Sequence, residues 1–235
     1  MTRFGLAIAS VGLATALTAC GDDSSFTDQS AEDIAGASKD AMGELESVKV
    51  SGSITASGQA IELDVQTNSE GSCVGSIGID GASAELVGVD GKTWFRPSQE
   101  FWEKSGGEAA EQIIAIVGDK WVVVPDEEDG FGEFCDLDEL LDQMLKDDDE
   151  DDKGTYSKGD TEEIDGDEAI AIDQDDPEDG TSTGYVLVDD PHYLVKIEKT
   201  DGEDSGSVTF SEFDEDFDAE APAEEDTIDL DNLAG

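Results

Sequence analysis

Three cysteines, a single histidine and a large surplus of carboxylates are the residues of this chain that could do covalent, acid–base or metal chemistry. A thiolate is a nucleophile for acylation or disulfide exchange, an imidazole moves protons near neutral pH, and carboxylates act as general acids, bases or ligands of hard cations. His192 stands alone in Asp189-Asp190-Pro191-His192-Tyr193, a turn entering a strand, with no second histidine to share a metal or a proton. The carboxylates are so numerous that no pair stands out as a hydrolytic dyad. Asp147 to Asp152 and Asp173 to Gly180 are the oxygen-rich stretches, yet neither has the Asp-x-Asp-x-Asp-Gly framework of a calcium loop, and consecutive carboxylates point in different directions. Neither catalysis, a metal centre nor a cofactor is expected.

Cys20 has a special setting. Arg3 supplies a positive start, Phe4 to Leu17 is an uncharged run rich in Leu, Ala, Ile and Val, and small residues precede the cysteine. The run falls short of the about 20 apolar residues that a spanning helix needs, and Gly21-Asp22-Asp23-Ser24-Ser25 cannot continue one. The segment reads as a removed signal. Its ending, Leu17-Thr18-Ala19-Cys20, resembles the lipobox of bacterial lipoproteins, which implies that Cys20 becomes the acylated first residue of the mature chain. The other reading is an ordinary secretory signal in which Cys20 is incidental. Residues 1–19 are thus expected as signal peptide and 20–29 as a flexible lipidated tether.

The remaining chain is long enough for one sizeable core. The full sequence has 62 acidic against 12 basic side chains, a formal net charge of -50 that becomes -51 once Arg3 is lost, and the remaining cations are scattered singly from Lys39 to Lys199. Nucleic acid is excluded as a partner, because phosphate backbones require concentrated Lys and Arg. Close self-association is disfavoured by like-charge repulsion, so a monomer is expected. Apolar residues make up 37% of the chain and fall in periodic segments, which argues for a folded domain over residues 30–217. An acidic tail follows at 218–235, and its composition alone reads as disorder.

The elements that must position any site follow from the spacing. Ser30 and Asp33 resemble a capping box, and Ile34, Ala37, Ala41, Leu45 and Val48 follow at helical spacing. From Val48 the period becomes two. Asp80-Gly81 and Asp90-Gly91 are hairpin dipeptides, so Val48 to Arg96 reads as a meander of about five antiparallel strands. Helical texture then carries Phe101-Trp102, Ala109 to Val117 and, capped by Asp136, Leu137 to Leu145. Strands resume near Tyr156 and run through Ile164, Ala169, Tyr185 to Val188, Tyr193 to Ile197 and Ser207 to Phe210.

Several stretches carry a family resemblance: Ser47-Val48-Lys49-Val50-Ser51-Gly52, then Gly91-Lys92-Thr93-Trp94-Phe95-Arg96-Pro97 with Phe101-Trp102, then Pro191-His192-Tyr193-Leu194-Val195-Lys196-Ile197-Glu198 and Val208-Thr209-Phe210-Ser211-Glu212-Phe213. In this order behind a lipobox they resemble the actinobacterial LppX/LprG-type lipoproteins, which are similar in fold to the LolA and LolB carriers. The resemblance implies an α+β fold, a strongly curved antiparallel sheet or half-barrel with helices covering its concave face. It further implies an apolar cavity for the acyl chains of a lipid or glycolipid, an envelope transporter or acceptor protein as partner, a tail whose end packs back on the domain through Ile228 and Leu230, and a lipid-anchored place on the extracytoplasmic face of the cell membrane.

The one-sided strands and helices nominate the lining. On the strands these are Val50, Ile54, Ile61, Leu63, Val65, Ile77 and Leu86; on the helices, Ile113, Ile114, Val117, Leu140, Leu141 and Met144. Plain core packing accounts for the same pattern, and it is the preferred reading of Trp94, Trp102 and Trp121 as well. With Cys20 acylated, Cys73 and Cys135 remain. An even pair in an exported domain favours a disulfide over two free buried thiols. Closing a loop of about 60 residues would stabilise the fold by about 4 kcal/mol.

Overall fold

A computed structural model describes residues 25–56, 58–105, 107–124, 132–145, 154–176, 180–200 and 205–229. Cys20, Leu230 and the Asp147–Asp152 run lie outside them. The alternating segment from residue 47 onward forms five strands in series: β1 Ser47–Ala56, β2 Gln59–Asn68, β3 Cys73–Ile79, β4 Ala82–Val89 and β5 Lys92–Pro97. Asp80 and Asp90 adopt positive φ of 50° and 53° beside Gly81 and Gly91, as tight hairpins demand. After Pro97 come α2 Gln99–Ser105, α3 Ala110–Val117, the short strand β6 Trp121–Val123, and α4 Leu137–Met144. The second meander comprises β7 Thr155–Ile164, β8 Asp167–Asp176, β9 Gly180–Leu187, β10 Leu194–Lys199 and β11 Ser205–Ser211.

These strands and β12, Thr227–Ile228, make one open, curved sheet ordered β12-β6-β5-β4-β3-β2-β1-β11-β10-β9-β8-β7. All pairs are antiparallel except β12 with β6, where Ile228 lies beside Val122. The two meanders join through their outermost members, β1 and β11, with Val50 opposite Phe210 and Gly52 opposite Val208. At Gly52 a Cβ would lie 2.2 Å from the Ser207 carbonyl oxygen, so the strands approach as closely as they do only because that atom is absent.

Helix α1, Ala31–Met42, lies on the concave face against β7 to β10. Ser30 caps it: its Oγ accepts from the Asp33 backbone N–H at 3.2 Å and donates to the Asp33 carboxylate at 2.8 Å, a tighter local loop than a reciprocal capping box. Its buried stripe is Ala31, Ile34, Ser38 and Met42, rotated from the expected stripe through Ala37 and Ala41, because the methionine offers more apolar surface than either alanine. Ile34 and Met42 are fully buried, each stabilising the fold by about 1.5–3 kcal/mol.

Cys73 and Cys135 are disulfide-bonded across a separation of 62 residues, with Cα atoms 4.8 Å apart. The bond draws the 3-10 turn Gly132–Cys135 and the start of α4 onto the first meander, where Cys135 packs with Val65, Ile77 and Leu86. Gly88, paired with Cys73 on the adjacent strand, makes room for it, since a Cβ there would lie 2.8 Å from the Cys135 Sγ. Phe134 touches this cluster and also the larger core that Leu137, Leu140 and Leu141 share with α1. The 62-residue tie thus holds a plug against the concave face of β2 to β4.

Replacing both Cys73 and Cys135 by alanine should lower unfolding stability by about 2–5 kcal/mol in a urea titration. Gly52→Val should cost about 1–3 kcal/mol by forcing β1 and β11 apart, whereas the same change at the open position Gly36, where no atom lies within 4 Å of the added Cβ, should lack that clash penalty.

Candidate functional site

Where the plug ends, a space remains. A cavity of about 570 Å³ lies between α1, the end of α4 and the inner face of β7 to β10. Met42, Ile172, Val186, Leu194 and Ile197 supply its apolar walls, with Met144 and Leu145 at the end of α4. Gly184 contributes space on β9, where a Cβ would approach the Leu194 side chain to 3.2 Å. Glu32 and Lys39 stand exposed at the rim, and Gln174, Ser182, Thr155 and Tyr156 add polar groups on the strand side.

One lining group is out of balance. Ser38, 4% exposed on the buried stripe of α1, has a hydroxyl with no hydrogen-bond partner among the described residues. A buried hydroxyl left unpaired costs about 1–3 kcal/mol, and a helical serine often bonds the carbonyl one turn back instead.

The nominated lining residues divide. Met144 borders the cavity, while Val50, Leu140 and Leu141 belong to the core beneath α1 and α4. Val65, Ile77 and Leu86 pack under the disulfide, with Leu63 partly buried against the same cluster. Ile54, paired with Ile61 at the far end of β1, is 40% exposed. Val117 is buried, whereas Ile113 and Ile114 are half-buried on α3, which packs mainly on α2. Strand alternation identifies an inward face but cannot say which part of it is plugged. Sequence reasoning passed over Ser38 and Met42, although four-residue steps from Ile34 reach both.

The tryptophans are structural. Trp102 meets Phe95 edge-on at 6.2 Å, Trp94 is buried under Lys92, and the Arg96 guanidinium lies over Trp121 at 4.5 Å. Gly180-Thr181-Ser182-Thr183-Gly184 matches the Gly-x-Ser-x-Gly pattern of serine hydrolases, which sequence reasoning also passed over. It lies wholly within the extended strand β9, whereas a nucleophile elbow needs a sharp strand-to-helix turn. The groups with displaced pKa values lie elsewhere. Burial, then Glu162 and Glu198, raises the Tyr185 phenol; a hydrogen bond from Lys196 lowers the Glu198 carboxyl; burial, then the bond to Asp214, raises Tyr193. None of the three lines the cavity. Among the described residues no cluster of three or more His, Cys, Asp or Glu side chains is placed to hold a metal ion.

The N-terminal segment differs from a flexible tether from residue 25 onward. Phe26–Asp28 form a 3-10 turn, and the Phe26 ring stacks on His192 with centroids 3.6 Å apart and planes 1° from parallel. Lys158 donates to the Thr27 and Gln29 carbonyls at 2.8 and 2.6 Å. The single histidine thus holds a strap. Ring stacking and two charge-assisted hydrogen bonds offset the entropy of ordering these few residues.

Ser38→Ala should stabilise the ligand-free chain by about 1 kcal/mol, because it removes an unpaired buried hydroxyl with little change of volume; a thermal melt reads the gain. Phe26→Ala should speed amide exchange over residues 25–30 while leaving the sheet protected, as followed by hydrogen–deuterium exchange.

No protein-family model matches the chain, and no curated protein matches it in sequence. Solved structures do match it in shape. LprF from Mycobacterium bovis superposes with a TM-score of 0.58 at 15% identity, over 82% of this chain and 97% of LprF. The Mycobacterium tuberculosis lipoprotein LppX gives a TM-score of 0.53 at 17% identity, over 81% of this chain and 98% of LppX. The chain has the fold of LprF and LppX, the fold that its sequence resemblance implied.

Proposed function

We propose that this chain is an envelope lipoprotein, anchored through Cys20 on the extracytoplasmic face of the cell membrane, that binds an acyl chain of a lipid or glycolipid in the cavity beneath α1. The observation that carries this reading is the cavity itself: about 570 Å³ of space walled by Met42, Ile172, Val186, Leu194 and Ile197. That volume falls within the about 300–1,000 Å³ of small-molecule sites. The lipobox-like Leu17-Thr18-Ala19-Cys20 and the fold shared with the lipoprotein LppX support it.

The strap gives the anchor a mechanical role. Four residues lie between Cys20 and Ser25, so the backbone of an acylated Cys20 would lie within about 18 Å of the docked segment, the reach of five fully extended steps. Since Lys158 and His192 hold that segment to β7 and to the β9–β10 connection, the cavity side of the domain would stay beside the bilayer. An envelope transporter or acceptor protein would then collect or supply the ligand at that surface.

A second reading has its own observation. The disulfide plug fills the concave face along β1 to β4, as a filled surface-interaction module would require. Native mass spectrometry of the protein purified from its host separates the two. A lipid adduct on the wild-type chain that is lost in Ala35→Trp, which enlarges a half-buried side chain of the cavity lining, is the expected result. A clean apo mass under gentle ionisation would instead support the filled module.

A further inference from the structure

We propose that the docked strap turns the mouth of the cavity away from the anchoring bilayer, so that its rim takes a donor or acceptor protein from the aqueous side and not the membrane surface itself. This rests on the anchored, lipid-binding reading above and adds the direction in which that site opens.

The anchor leaves the domain from one end of the sheet. Phe26 stacks on His192, which lies in the connection from Leu187 at the end of β9 to Leu194 at the start of β10. Leu187 pairs with Ala169, and the Val188 backbone N–H donates to the Glu168 carbonyl, so this connection and the start of β8 at Asp167 share that end. Four residues lie between Cys20 and Ser25, a reach of about 18 Å at full extension. The domain therefore meets the bilayer from its His192 end.

The cavity opens toward the other end. Gly154, Thr155, Gln174 and Ser182 form its strand-side rim. Thr155 pairs with Asp175 and Gln174 with Ser182, beside the last residues of β8. Burial follows the same direction along β9, where Ser182 and Gly184 are half-buried and Val186 is 2% exposed. The floor is thus deepest toward His192 and open toward Thr155. Asp167 and Asp175 are eight residues apart on β8, about 26 Å at the rise of a strand. An acyl chain crossing a gap of that length unaided would expose its surface to water at about 0.8 kcal/mol per CH₂.

Two holds fix the orientation. A domain tied at one point would turn freely on its tether, whereas Lys158 grips the Thr27 and Gln29 carbonyls from β7 while His192 holds Phe26 from the β9–β10 connection. The rim also has the chemistry of a protein contact. Among the described residues, Glu32, Lys39, Thr155, Gln174 and Ser182 ring the apolar interior, as polar groups ring the centre of a protein interface; a surface that dips into a bilayer presents apolar side chains instead.

The test places the full-length acylated chain on phosphatidylcholine vesicles that carry a rhodamine-labelled lipid, with a donor dye on one added cysteine. Asp167→Cys marks the His192 end of β8 and Asp175→Cys the mouth end; both positions are exposed. Energy transfer to the bilayer should be about three-fold or more stronger from residue 167, because the two positions lie about 26 Å apart. Adding Phe26→Ala and Lys158→Met frees the strap and should bring the two efficiencies together, with far-UV circular dichroism reporting that the sheet is intact. Equal transfer from both positions in the parent, or stronger transfer from residue 175, overturns the orientation, makes the bilayer the occupant of the rim and leaves acyl binding intact. A transfer ratio unchanged by freeing the strap overturns the role of Phe26 and Lys158. A parent chain that floats with the vesicles no better than Cys20→Ala overturns the anchor and this inference with it.

Discussion

The pairing of β1 with β11 is the constraint on which the rest of this structure depends. Residues 47–56 must find residues 205–211 across most of the chain, and only then do two local meanders share one concave face. Closing so long a loop costs entropy before any contact forms. The return comes from a continuous inward row, with Val65, Val50 and Phe210 side by side, and from the close approach permitted at Gly52. A larger residue at that glycine would separate the strands and divide the surface that α1 and α4 cover.

Once the sheet is continuous, the two helices divide its concave face unequally. Helix α4 is pulled by the disulfide toward β1 to β4 and fills that side, with Phe134 bridging the two apolar clusters. Helix α1 lies over β7 to β10 without such a tie and leaves space beneath it. Binding capacity in this fold is therefore set by where the plug stops. The docked strap through Phe26 and Lys158 fixes the start of α1 on the same side as the space.

Much of the fold was legible in local pattern. The hairpin dipeptides at Asp80 and Asp90, the alternation along β1 and β2, the caps at Ser30 and Asp136 and the pairing of two cysteines all correspond to elements of the structure. The cavity was much less legible. Of the residues nominated to line it, Met144 borders it, because alternation marks an inward side chain without saying whether another element covers it. Ser38 escaped attention because a polar residue on a helix is ordinarily assigned to solvent, and only its four-residue steps to Ile34 and Met42 mark it as buried. The strap escaped because Gly21 to Gln29 has linker composition, and the partners that hold Phe26 to Gln29, Lys158 and His192, lie more than a hundred residues away.

By itself, the sequence determined what depends on neighbours along the chain: the helices and strands, the tight turns, the surplus of negative charge, and a lipobox-like cysteine with two further cysteines left to pair. Tertiary structure alone decided which strands join the meanders, which part of the concave face is filled, and where a cavity is left beneath α1. The physical reason is range. Turn geometry and side-chain alternation act over two to four residues, whereas a cavity is the volume that several distant elements fail to fill together, and no single segment encodes it.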